Sequence, residues 1–95
     1  MAVIVRIPTQ LRPLVDGASD VGVDVPAEGA TVALVMAALE AAHPGFAERL
    51  FDETGRLRRF VNVFVADEDI RFLDGVDTTV LSGTTVSIVP AVAGG

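Results

Sequence analysis

Small β-branched residues recur at alternate positions near both ends of the chain, and one central stretch changes to helical spacing. Ala2 to Ile7 carries Val3, Ile4, Val5 and Ile7, which predicts a strand that Pro8 stops. Thr9 to Asp16 follows that proline, contains Pro13 and reads as a loop. Val21, Val23 and Val25 alternate with Gly22 and Asp24, a second strand closed by Pro26. Val32, Val35, Met36 and Leu39 then fall at helical spacing behind Thr31, whose hydroxyl suits a helix N-cap, so Val32 to Ala42 is predicted as an amphipathic helix. Pro44 forbids its continuation by pushing His43 out of the α region. Phe46 to Phe51 fits one further helical turn, and Asp52-Glu53-Thr54-Gly55 is a turn. Arg58 to Ala66 reads as a third strand; Asp67-Glu68-Asp69 turns into a short fourth near Ile70 to Phe72; Thr84 to Val89 is the last.

The order β-β-α-β-β-β in 95 residues implies an α+β chain of one domain, with one helix long enough to cover one sheet face. It fits a β-grasp, or ubiquitin-like, domain: a mixed sheet of about five strands with one main helix packed on it. The first and last strands are expected to lie parallel in the middle of the sheet. Residues 1–90 are expected to form this domain, and residues 91–95 a thin C-terminal tail ending in two glycines.

Alternation assigns the faces. If Val3, Val5 and Ile7 meet the helix, Ile4 and Arg6 point away from it. On the third strand Val61, Val63 and Val65 go inside, leaving Phe60, Asn62 and Phe64 outside; on the last, Val86 and Ile88 go inside, and Ser87 and Val89 outside. Phe60, Phe64, Ile4 and Val89, with Arg6 beside them, then stand together on the face that no helix covers. A contiguous apolar patch there marks a partner-docking face. A slip of one residue in the third strand would bury both phenylalanines and expose Val61, Val63 and Val65 instead, and the pattern alone admits either register.

Composition narrows the chemistry. A net charge of −6 lacks the basic stripe that nucleic-acid binding needs. Cysteine is absent, which removes disulfides, thiol nucleophiles and thiolate-ligated metals; lysine is absent too, so all seven cations are arginines. The start, Met1-Ala2-Val3-Ile4-Val5-Arg6-Ile7, lacks the features of a signal peptide and no apolar run approaches a membrane span, so the expected compartment is cytoplasmic. His43, the single histidine, suits the C-terminal end of the helix dipole and makes no metal site alone. Asp67-Glu68-Asp69 reads as a solvated turn, and Gly17 and Gly22 do not make a phosphate-binding loop. No residue is assigned a catalytic or metal-binding role. What remains is the end, Ala91-Val92-Ala93-Gly94-Gly95: a carboxylate with no Cβ beside it can thread a narrow channel and reach a nucleotide phosphate.

Ile7-Pro8-Thr9, Leu11-Arg12-Pro13, Arg59-Phe60-Val61-Asn62, Asp67-Glu68-Asp69, Val86-Ser87-Ile88-Val89-Pro90 and the tail together resemble the MoaD/ThiS family of bacterial ubiquitin-like sulfur carriers, over the whole chain. Within it the likeness is strongest to the carriers of an alternative cysteine biosynthesis. The resemblance implies that an E1-like adenylating enzyme converts the Gly95 carboxyl to an acyl-adenylate with ATP and magnesium, after which a sulfur donor leaves a thiocarboxylate there. Gly94, Ala93, Val92 and Ala91 would serve tail recognition. It further implies sulfur delivery to a PLP-dependent cysteine synthase, with release of cysteine by a zinc metallopeptidase, and no cofactor bound by the chain itself. A ubiquitin-like protein modifier and the small subunit of molybdopterin synthase use the same end and stand as alternatives.

Overall fold

The computed structural model describes residues 1–90. The strands are β1 (Ala2–Arg6), β2 (Asp20–Asp24), β3 (Val61–Val65), β4 (Glu68–Asp69) and β5 (Thr85–Pro90); the helices are α1 (Val32–Ala42) and α2 (Phe46–Leu50). They form a five-stranded sheet in the order β2-β1-β5-β3-β4. β1 and β5 run parallel, and the other neighbours are antiparallel. This is the expected mixed sheet, with its first and last strands side by side.

Cross-strand pairing settles the register of β3. Val63 lies opposite Ile88 and Val65 opposite Val86, so one face collects the inward side chains of both strands. Val61, Val63 and Val65 are buried, with Val3, Val5 and Ile7 from the β1 side and Val32, Val35, Met36 and Leu39 from α1. The one-residue slip is thereby excluded.

The helices begin and end for identifiable reasons. Thr31 Oγ1 accepts the Leu34 amide at 3.3 Å, the expected cap. His43 closes α1 by donating its amide to the Leu39 carbonyl, directly before Pro44. The short α2 would be marginal alone. Its orphan amides are met from another helix: the Glu40 carboxylate accepts from Gly45 (3.1 Å), Phe46 (2.9 Å) and Ala47 (3.0 Å). These bonds hold the Glu40 carboxyl below its ordinary pKa, Ala47 contributing most.

Three sequence expectations need correction. Thr9 to Val15, expected as loop, is a 3-10 turn that buries Leu11 and Val15. It begins with a bond from the Leu11 amide to the Pro8 carbonyl, and Asp16 ends it in the left-handed region at φ 55°. The third strand starts at Val61, later than Arg58, because the Arg58 and Arg59 carbonyls are taken by a side chain, Arg71. The fourth strand is Glu68–Asp69, and Ile70–Phe72 is a 3-10 turn. Ala66 and Asp67 form the hairpin turn with φ 51° and 68°, the mirror-image geometry that suits a tight hairpin. Asp69 Oδ1 then accepts the Arg71 amide at 2.8 Å, which ends the strand and starts the turn.

Candidate functional site

The sheet face away from α1 presents the alternate residues of the same strands. Ile4 stands opposite Thr85, and Arg6 opposite Ser87; on the other side of β5, Phe64 is opposite Ser87 and Asn62 opposite Val89. Four of the five predicted docking residues, Ile4, Arg6, Phe64 and Val89, therefore do share this face. Phe60 precedes β3 in a turn and is 54% exposed at the end where β5 finishes. The expected single apolar patch is not formed. Thr85 and Ser87 of the central strand lie between the apolar groups, and Ile4 sits four residues along from Val89, about 13 Å. The face is better described as separate apolar points around a polar centre, with Val89 and Phe60 gathered at one end.

That end is where the chain leaves the sheet. Pro90 is paired with Val61 across the ladder, so its position is fixed by the same register that builds the core. The tail residues Ala91, Val92, Ala93, Gly94 and Gly95 lie outside the described residues. Two open hollows meet at Pro90. One, of about 560 Å³, has Leu11, Leu50, Phe60 and Ile88 in its walls with Arg49 and Arg58. The other, of about 410 Å³, lies beside Pro8 and Val89, with Arg6 and Arg12. Arg6 approaches Asp20 at 3.8 Å, and both side chains are exposed, so the pair adds little stability.

Arg71 is the residue that sequence reasoning missed. Its guanidinium donates to the carbonyls of Val61 (2.7 Å), Arg58 (3.0 Å) and Arg59 (3.4 Å) and to the Asn62 side-chain oxygen. One side chain thus holds the turn that presents Phe60, and no local spacing announces a bond reaching back across a hairpin.

A third hollow, of about 840 Å³, lies between α1 and α2, with Met36, Ala37, Phe51 and Val76 in its walls. Pro90 is not in its walls, and it shares Glu48 and Arg58 with the first of the two hollows at Pro90. At its rim Asp52 accepts from the Thr54 hydroxyl (2.6 Å) and the Thr54 and Arg56 amides, which depress its pKa, the hydroxyl most. Those bonds organise the expected Asp52–Gly55 turn, with Gly55 at φ 83°. Among the described residues, no group of three or more His, Asp or Glu side chains is placed to hold a metal ion, and no helix is long and apolar enough to cross a membrane. His43 is the residue that ends α1, through its main-chain amide.

Comparison with known proteins agrees with this architecture. The family model described as the ThiS family matches residues 5–95. The sulfur carrier protein CysO of Mycobacterium tuberculosis is 47% identical over the full length of both chains. The small archaeal modifier protein 3 of Haloferax volcanii is 40% identical over 68 residues, 72% of this chain and 73% of that one. Among solved structures, a chain of the Amycolatopsis orientalis BexX/CysO complex superimposes with a TM-score of 0.83 at 45% identity, covering 98% of this chain and 99% of that chain. The β-grasp body, the central parallel pair that delivers the chain to Pro90, and a family match that runs through the diglycine have one common explanation: the chain belongs to the ThiS family.

Proposed function

We propose that this protein is a sulfur carrier, and that its C-terminal Gly95 is the atom-bearing end. A carboxylate is a poor electrophile, so it must first attack the α-phosphorus of ATP, releasing pyrophosphate and leaving an acyl-adenylate. Hydrosulfide then attacks the acyl carbon, AMP departs, and after loss of the proton a thiocarboxylate remains on Gly95. The E1-like partner supplies the ATP site and the magnesium. The carrier contributes an end that fits a channel, with Gly94 and Ala91 to Ala93 as the small-residue leash, and a body that docks beside that channel. It acts as a covalent substrate of its partners.

The observation that carries this reading is the full-length 47% identity to a sulfur carrier protein. The outlet of the sheet supports it: β5 is paired with β1 as far as Ser87 and with β3 as far as Pro90, so a tail beginning there starts from a fixed point. The same likeness favours cysteine as the product, through a PLP-dependent synthase that accepts the sulfur and a zinc metallopeptidase that frees the amino acid.

The test is intact-mass spectrometry after incubation with the activating enzyme, ATP, magnesium and a sulfur source. The carrier should gain mass by one oxygen-to-sulfur exchange. Protein lacking Gly95 should stay unchanged, and sulfur acquisition by that variant would overturn the assignment. The likeness to an archaeal modifier protein favours one second reading, in which the same adenylate is passed to lysines of other proteins. Conjugates of higher mass, in place of a thiocarboxylate, would be its signature.

A further inference from the structure

The charge of this protein is divided in a way its total conceals. The chain carries 13 acidic residues against seven arginines. Yet the two hollows that meet at Pro90 are lined by Arg6, Arg12, Arg49 and Arg58 and by a single carboxylate, Glu48. Arg59 and Arg71 belong to the adjoining turn. Six of the seven arginines therefore surround the outlet of the tail.

Their partners matter as much as their positions. Among the described residues the one ion pair within 4 Å is Arg6 with Asp20. Arg12 is held through Nε by the Ile7 carbonyl at 3.1 Å. Arg58 is held by the Glu48 main-chain carbonyl at 3.0 and 3.3 Å. Arg71 is held by three carbonyls and an amide oxygen. A carbonyl fixes the direction of a guanidinium without cancelling its charge, whereas a carboxylate would do both. In a chain so rich in acids, three arginines at one end are hydrogen-bonded to neutral oxygens only, Arg58 alone standing near enough to a carboxylate, Asp52, for its charge to be felt there.

From this we propose that the tail outlet is a cationic docking collar, and that the enzyme receiving the tail carries an acidic rim around its channel. An apolar side chain on that rim would enter the hollow beside Phe60, between Arg49 and Arg58. The occupant follows from charge complementarity: a cluster of positive groups, three of them held by carbonyls, beside an apolar hollow selects a surface whose carboxylates surround an apolar tip. The net charge of −6 acts in the same direction, since the acidic remainder is repelled by that rim and the protein is turned tail-first during approach. This deepens the sulfur-carrier reading and rests on it.

The experiment uses the full-length protein, the activating enzyme and ATP–magnesium, with adenylation followed by pyrophosphate exchange. Between about 50 and about 400 mM salt, KM for the carrier should rise about tenfold with kcat little changed. Arg49→Glu with Arg59→Glu removes two guanidinia whose side chains make no intramolecular hydrogen bond among the described residues. It should raise KM by at least about tenfold at low salt and flatten the salt dependence. Arg56→Glu, in the turn beside Asp52, should behave as wild type at equal net charge to either single change. A salt-independent KM, or equal effects at Arg56 and at the collar, would overturn the proposal, as would a change confined to KM for ATP. Absence of adenylation in the wild-type protein would instead count against the carrier reading. A nitrogen-correlated NMR titration with short poly-L-glutamate gives a readout free of enzyme: shifts should be confined to the arginine-lined end, and shifts spread evenly or absent would overturn the collar.

Discussion

The two faces of this sheet are built from the same strands, and they answer to different demands. On one side Val3, Val5, Val63, Val86 and Ile88 are closed over by α1 and offer nothing but aliphatic surface. On the other, Ile4, Arg6, Asn62, Phe64, Ser87 and Val89 alternate apolar, charged and hydroxyl groups at the same spacing. Neighbouring residues in sequence therefore face opposite ways: Val63 is buried in the core, while Phe64 lies half-buried on the uncovered face. If the uncovered face docks a partner, as proposed, stability and recognition are separated by one step along the chain and each can be altered without the other.

Five changes would break or sharpen that division. The largest effect is expected at the end of the chain: removal of Gly95 should abolish sulfur acquisition in the intact-mass assay, with the thermal midpoint unchanged. Next is Phe64→Asp, which should raise KM for the carrier in adenylation by roughly thirtyfold, equivalent to about 2 kcal/mol of lost contact. Its unfolding free energy should stay within about 0.5 kcal/mol of wild type. A folded Phe64→Asp protein adenylated normally would remove this residue from the docking face.

Val63→Ala tests the other side of the same strand. Its side chain is fully buried, so denaturant unfolding should show a loss of about 2 kcal/mol from burial and residual cavity, with KM unaffected. Thr31→Ala removes the cap bond to Leu34 and should cost about 1 kcal/mol in the same experiment. The smallest effect is expected for Glu40→Gln and is a matter of pH. The folded pKa of Glu40 is depressed below the ordinary carboxyl value of 4.5, so its charged form stabilises the fold above that pH. That contribution is lost as the pH falls through the folded value. Unfolding curves of wild type and Glu40→Gln should differ near neutrality and converge in acid; a gap that persists in acid would assign the effect to shape instead of charge.

The pattern of period two was legible from sequence because burial on one face is a local rule, repeated along each strand. Val61, Val63 and Val65 obey it, and so do Val86 and Ile88. The helix and its Thr31 cap were legible for the same reason, being settled within a few residues. What escaped depends on side chains that reach across turns. Arg71 shortens β3 by binding carbonyls up to 13 residues earlier, and Glu40 caps a helix to which it does not belong. Neither partner is implied by spacing. Ile4, Arg6, Phe64 and Val89 were placed on the uncovered side of the sheet as the register has them, but their continuity was overestimated, since Thr85 and Ser87 of the intervening strand belong to that side too. The arginine-lined outlet was hidden for a different reason: net charge sums over the chain, and only the topology brings residues 6, 12, 49 and 58 to one end.

The position of β5 between β1 and β3 also has a mechanical meaning. A protein whose end is drawn into another enzyme and later withdrawn is loaded along the axis of its last strand. Tension on the tail runs parallel to β5, whose ladders to both neighbours lie across that direction. Such a load shears both rows of hydrogen bonds at once, so they resist together; an edge strand pulled sideways would peel open one bond at a time. If a partner draws on the end of this chain, as proposed, the load falls on the central strand of the sheet, where two ladders share it.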